Sequence, residues 1–198
     1  VSDPHPIEVE SYRIMAGRVD LSGWEPGAAA VVARMIHATA DESLATTARV
    51  GSEAVSACVA ALRRNAVVVC DARMVVAGIS GPVDARCLLD EVPAAPEGDT
   101  RSAAAVRLAG QRWPDDALWV FGNAPTALAA LLELHRGGQV RPAAVIGVPV
   151  GYVGAAEAKD VLWQGPLAPR AITVLGRRGG SPVAAAAVNA LSRLARRS

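Results

Sequence analysis

Aromatic side chains are scarce in this chain of 198 residues, which has one Phe, two Tyr and four Trp, and lysine is scarcer still, with Lys159 standing against 19 arginines. Proteins that hold nucleic acid need a basic field for the backbone and, for single strands, rings on which bases stack. Twenty basic and 19 acidic residues leave a net charge of +1, so neither requirement is met and nucleic acid is excluded as a partner. The three cysteines, Cys58, Cys70 and Cys87, are odd in number, unclustered and set in apolar runs. They suggest neither a disulfide framework nor a CxxC metal or redox site and fit a reduced, cytoplasmic setting. His5, His37 and His135 form no His/Asp/Glu grouping at helical spacing, so no dedicated metal centre is expected. No apolar run approaches the roughly 20 residues of a membrane helix. The opening VSDPHPIEVESYRI lacks a basic segment followed by an apolar one, and a soluble, untargeted protein is expected.

What the chain does have is apolar bulk: 52% hydrophobic residues, including 41 alanines and 26 valines. That excludes disorder and supplies the core of one domain over residues 1–198. The heavy use of Ala and Arg reads most simply as GC-rich coding. From about residue 66, short β-branched runs alternate with alanine-rich helical runs, the pattern of a parallel sheet covered by helices. Strands are predicted at 66–70, 117–121, 143–147 and 171–175, with a weaker one at 85–89. Helices are predicted at about 101–112, 125–137, 155–163 and 182–195, and upstream at about 7–16, 26–37 and 51–64. Pro26 suits the first turn of its helix. The Pro- and Gly-dense stretch from Asp90 to Thr100 reads as a long loop.

Glycine-bearing loops follow three of these strands: Gly122-Asn123-Ala124-Pro125-Thr126, the segment from Gly147 through Gly151 and Gly154 to Glu157, and Gly176-Arg-Arg-Gly179-Gly180-Ser181. In an open α/β sheet the carboxyl edge of the strands is where ligands bind, because helix N-termini present free N–H groups there. Every βα unit also needs a tight turn, which accounts for part of the glycine; three such loops in succession favour an anionic ligand.

No GxGxxG follows a strand, GRRGGS lacks P-loop spacing, and no GxSxG elbow occurs. Lys159, the one side-chain amine, follows Glu157 in a predicted helix, where a solvated or salt-bridged role is expected rather than Schiff-base chemistry. His37 lies at the end of an alanine-rich helix. There it is either a dipole-stabilised terminal histidine or, as the one imidazole embedded in an apolar helix, the candidate for moving a proton near neutral pH. At Thr100-Arg101-Ser102 a Gly-Asp-Thr loop enters a helix. Its guanidinium, hydroxyls and free N–H groups suit a carboxylate or phosphate, though an ordinary N-cap with an exposed arginine fits equally.

Six motifs in order, Met35-Ile-His37-Ala, Cys70-Asp-Ala-Arg-Met-Val75, Gly98-Asp-Thr-Arg-Ser-Ala-Ala, Gly122-Asn-Ala-Pro-Thr-Ala-Leu128, Gly147-Val-Pro-Val-Gly-Tyr-Val-Gly-Ala-Ala-Glu157 and Gly176-Arg-Arg-Gly-Gly-Ser181, together resemble the precorrin-8X methylmutase family of cobalamin biosynthesis. The likeness runs from Ile7-Glu-Val-Glu-Ser-Tyr12 to Ala187-Val-Asn-Ala-Leu191. It implies a flavodoxin-like, three-layer α/β/α fold with added N-terminal helices, and a homodimer with its active site near the subunit interface. It also implies an isomerase, working without a cofactor, that moves a methyl group from C-11 to C-12 of precorrin-8X to give hydrogenobyrinate, or its cobalt form in the anaerobic branch. The family's active-site histidine falls on His37, its substrate-contacting arginine on Arg101 and its N-terminal serine on Ser11. Thr100, Ser102, Gly122, Asn123, Gly151, Gly154, Gly179 and Gly180 complete the expected substrate contacts. Tyr12 stands where the family usually has Phe, Asp99 where Asn is common and Arg18 where an acidic residue is usual. Asp99 beside Arg101 is expected to bear on that arginine's grip. Two other readings of the same residues are a corrinoid carrier without turnover and a flavodoxin-like nucleotide-binding domain.

Overall fold

A computed structural model describes residues 5–196. In chain order the elements are α1 (Pro6–Ala16), α2 (Pro26–Thr39), α3 (Leu44–Thr47), β1 (Ala48–Val50), α4 (Ala54–Arg63), β2 (Val68–Cys70), α5 (Arg73–Gly78), β3 (Ala85–Arg86), α6 (Arg101–Arg112), β4 (Leu118–Phe121), α7 (Pro125–Arg136), β5 (Ala144–Gly147), α8 (Ala155–Gln164), β6 (Ala171–Val174) and α9 (Ser181–Ala195). Single 3-10 turns lie at Leu89–Glu91 and Ala168–Arg170.

The strands form one sheet in the order β1-β6-β5-β4-β2-β3. All neighbours are parallel except β1, which runs antiparallel to β6 with Arg49 opposite Thr173. Counting only the parallel strands, the order is second-first-third-fourth-fifth, the flavodoxin-like winding. Alternation along each strand divides the core. Val68, Cys70, Leu118, Val120, Ile146 and Ile172 face α2, α4, α5 and α9, while Val69, Trp119, Phe121 and Val145 face α6, α7 and α8.

The predicted elements are present with small shifts of their ends, and two differences have physical causes. The strand read at 85–89 keeps only Ala85–Arg86, because the chain then turns into the 3-10 segment at Leu89–Glu91. Three short elements, α3, β1 and α5, lie where the sequence gave no periodic signal; each has six residues or fewer, too few for a period to show.

Alanine is a packing device in α9. Ala184, Ala185, Ala186 and Ala187 are all buried, and a Cβ on Gly78 would come within 2.7 Å of Ala185. A Cβ on Gly122 would meet Ser181 Cα at 2.8 Å and Ala184 Cβ at 2.9 Å. The buried Asn189 satisfies the end of α5, accepting from the Ser80 N–H at 2.7 Å and donating to the Gly78 carbonyl at 2.9 Å.

In this winding the topological switch point falls between β2 and β4, where ligands of such sheets usually sit. Here Asp71, buried at the end of β2, reaches across and accepts three backbone N–H groups from the β4–α7 turn: Gly122 at 3.0 Å, Asn123 at 2.8 Å and Ala124 at 2.6 Å. Burial pushes the Asp71 carboxyl up, against the pull of the Ala124, Gly122 and Asn123 amides. Removing the carboxylate leaves buried donors unpaired, at about 1–3 kcal/mol for such a loss. Asp71→Ala is therefore expected to lower the free energy of unfolding by roughly 2–4 kcal/mol, with Asp71→Asn milder because it keeps one acceptor. Urea denaturation checks this; a loss under about 0.5 kcal/mol would mean the turn holds itself.

Candidate active site

Helices α1 and α2 meet along two rungs. Glu8, Ser11 and Tyr12 have the i, i+3, i+4 spacing that shares one face of a helix, and Arg34 and His37 are one turn apart on α2. In the first rung Glu8 pairs with Arg34 at 3.6 Å and with Arg193 of α9 at 3.2 Å. In the second, Ser11 Oγ lies 3.0 Å from His37 Nδ1 and the Tyr12 ring stacks on the imidazole, centroids 4.7 Å apart and planes within 5°. The ring is thereby fixed in tilt and rotation. When the Ser11 hydroxyl donates to Nδ1, the imidazole carries its proton on Nε2 and presents it as a donor. The polar face of α1 thus points inward, while Ile7 and Ile14, two turns apart, are 74% and 49% exposed.

The end of α2 is tied to the carboxyl edge of the sheet. Asp41, just past the left-handed C-cap Ala40, accepts from Arg178 Nη1 through both oxygens, at 2.7 and 2.8 Å, and Ser43 Oγ accepts from the same nitrogen at 2.7 Å. The backbone of Arg178 is held from below by Lys159, whose Nζ donates to its carbonyl at 2.6 Å. Lys159 is fully buried; the solvated or salt-bridged lysine expected from sequence is instead an internal prop for the 176–180 loop. Further bonds join that loop to the one after β5: the Gly180 N–H donates to the Val148 carbonyl at 2.9 Å, and the Gly151 N–H to the Arg177 carbonyl at 3.1 Å. Gly179, at φ +145°, lies so close to the Val148 carbonyl that no Cβ fits.

Over the opposite face, the N-terminus of α6 abuts that of α7. Thr100 caps α6 by accepting from the Ala103 N–H at 3.1 Å, and its hydroxyl lies 2.8 Å from that of Thr126. Arg101 donates through Nε to the Val92 carbonyl and through Nη2 to the Leu89 carbonyl, both at 2.8 Å. It therefore clamps the 89–92 segment, and among the described residues Nη1 makes no hydrogen bond. Ser102 beside it is half-buried. Asp99 turns away from Arg101, accepting from the Thr100 N–H at 2.8 Å and pairing with Arg107 at 3.3 Å.

The expected site residues therefore form two groups flanking the glycine loops. Ser11 and His37 stand at the edge on the α2–α9 side, Thr100, Arg101 and Ser102 on the α6–α7 side. Among the described residues no hydrogen bond joins the two groups. The amides of Gly122 and Asn123 are engaged by Asp71, and that of Gly180 by Val148, so these loops offer shape rather than free donors. The same carboxylate disfavours phosphate at the switch point, against the nucleotide-binding reading. Burial pushes the Cys58 thiol up to about 12 and raises Cys70 as well, which removes both from thiolate chemistry.

The sequence pattern of the precorrin-8X methylmutase family matches residues 6–194. The chain belongs to that family. A precorrin-8X methylmutase of a Sinorhizobium species is 38% identical over 98% of this chain and 96% of its own. A cobalt-precorrin-8 methylmutase of Salmonella typhimurium is 37% identical over 96% and 95%. The crystal structure of a precorrin-8X methylmutase from Thermus thermophilus superposes with a TM-score of 0.85 at 39% identity, covering 96% of this chain and 95% of that one.

Sequence reasoning about this methylmutase-family chain missed three participants, Asp71, Glu8 and Arg178, and misplaced Lys159, which is buried. Each acts through tertiary contacts that periodicity does not encode, although Asp71 directly after a buried strand was a legible hint. Burial disfavours the Lys159 ammonium and brings its pKa down to about 8, with the nearby Asp160 opposing the shift. Below that pH the ammonium is present in the folded and unfolded chain alike, and the folded state bears the burial cost. Between about pH 8 and the unfolded value near 10.4 only the unfolded chain holds the proton, so stability rises with pH across that window. Relative to Lys159→Met, the parent is expected to gain on the order of 2–3 kcal/mol between about pH 7 and pH 10, read from urea midpoints. Parallel pH curves for the two proteins would contradict the lowered pKa of Lys159.

Proposed function

We propose that the chain is a precorrin isomerase that moves the methyl group from C-11 to C-12 of precorrin-8X, giving hydrogenobyrinate, with His37 as the proton or hydrogen-bond donor. The reading is carried by one arrangement: an imidazole fixed by Ser11 and Tyr12 at the edge where an α/β sheet receives its ligand. A 1,5-sigmatropic shift conserves atoms and electrons, so the protein's task is to hold one tautomer and polarise it. A proton lent by His37 Nε2 to a pyrrolic nitrogen beside the migrating methyl makes the ring electron-poor, favours migration and returns to Nε2 afterward. General acids of this kind contribute about 10²–10⁴-fold. Arg101, with Nη1 free, and the Thr100 and Ser102 hydroxyls hold peripheral carboxylates and convert remote binding into orientation. Gly179 allows the close loop packing that shapes the rim, Gly151, Gly154 and Gly180 supply its turns at positive φ, and Gly122 and Asn123 form the floor pinned by Asp71.

The apolar outer face of α1, with Ile7 and Ile14 exposed, supports a homodimer in which a second copy covers the helix that carries Ser11. Free cysteines at 58, 70 and 87 accord with a reducing cytoplasm. No helix among the described residues is long and apolar enough to cross a membrane.

Incubated with precorrin-8X and followed by visible absorption, His37→Ala is expected to turn over about 10²–10⁴-fold more slowly than the parent, and Ser11→Ala about tenfold more slowly because Nδ1 loses its partner. Parent-like turnover by His37→Ala would remove His37 from the mechanism; a parent that shifts the spectrum without isomerising is a carrier.

Arg101→Ala is expected to stay folded and to bind hydrogenobyrinate about tenfold or more weakly, with the 89–92 segment loosened as its two carbonyls lose their donor. Unchanged affinity in a spectral titration would sink the assignment of Arg101.

A further inference from the structure

The loop from β5 to α8 carries its apolar side chains outward. Tyr152 is 87% and Val153 88% exposed, more than any other large apolar residue described, and Val150 beside them is also exposed. Of the seven aromatic side chains, Tyr152 alone is exposed. The loop is nevertheless well anchored. Gly151 and Gly180 exchange hydrogen bonds with the neighbouring loop, Lys159 props that loop from beneath, and Gly154, at φ +76°, turns the chain into α8 against Pro125. The Arg177 guanidinium stands 5.7 Å from the Tyr152 ring centroid and, among the described residues, pairs with no carboxylate. A rigid loop presenting a bare ring, two valines and an unspent guanidinium matches a ligand that is flat and conjugated in its middle and anionic at its rim.

We propose that Tyr152 is the platform on which one face of the corrinoid macrocycle lies, with Val153 widening the apolar contact and Arg177 taking a peripheral carboxylate. The inference rests on the function proposed above and names a binding contact for the same site. Ring stacking supplies affinity and sets the tilt of the macrocycle, while Arg177 keeps the Tyr152 ring from turning away.

Hydrogenobyrinate titrations followed by visible absorption test it. Tyr152→Ala is expected to bind about tenfold more weakly than the parent, and Tyr152→Phe, which keeps the ring, to recover affinity to within about twofold. Arg177→Gln is expected to bind more weakly and with a shallower dependence on salt. Parent-like affinity in Tyr152→Ala overturns the proposal. The same affinity accompanied by a lower sedimenting mass overturns it in favour of a contact between two copies of the chain. A parent that does not bind hydrogenobyrinate overturns the function reading itself, and this inference with it.

Discussion

The rest of the edge is organised around the buried carboxyl group of Asp71, whose two oxygens take up the N–H groups of the crevice between β2 and β4. In a doubly wound sheet the free N–H groups at this crevice ordinarily attract an anion. Here three of them converge on a side chain of the protein. The β4–α7 turn is fixed without a ligand, Gly122 lies against α9 so closely that no Cβ fits, and the amides that would hold a phosphate are already engaged. In the proposed mechanism recognition lies farther out, at the rim formed by the loops after β5 and β6 and by the N-terminus of α6.

The second constraint is the contact between α1 and α2. No residue of α1 is buried and Met15 packs only partly against the core, so apolar contact alone does not place the helix. Polar contacts do, in register: the Glu8 pairs with Arg34 and Arg193 set the height at which Ser11 and Tyr12 arrive at His37. The catalytic group of the proposed mechanism therefore depends on a helix attached by a few directional bonds, which suits a site that must admit a large rigid ligand.

Much of this was legible from sequence, and the reasons are local. The parallel strands announce themselves as Val68-Val-Cys70, Leu118-Trp-Val-Phe121 and Ala171-Ile-Thr-Val174, and the helices as alanine-rich runs opened by Pro26, Pro125 and Pro182. The motif resemblance, borne out by the family match, carried the activity. What sequence could not show lies in pairings between distant segments: Arg49 of the three-residue β1 opposite Thr173, Asp71 reaching 51 to 53 residues along the chain, Lys159 meeting the Arg178 carbonyl. The pattern Glu157-Ala-Lys159-Asp160 reads as a charged helix face, yet the fold turns Lys159 inward because the loop above it needs a donor. Arg101 reads equally as an anion ligand or as an exposed arginine at an N-cap, whereas two of its nitrogens are occupied by the carbonyls of Leu89 and Val92.

The alanines of α9 bear on how such a sequence can change. Where Gly122 presses on Ala184 and Gly78 on Ala185, this buried helix accepts little beyond a methyl group, although it holds Val183, Val188 and Leu191 elsewhere on its surface. Alanine codons are also among those most favoured by GC-rich coding. Mutational drift and steric necessity therefore point to the same residue along Ala184–Ala187, and a composition that looks like a by-product of the genome is, at this helix, one the fold would have selected unaided.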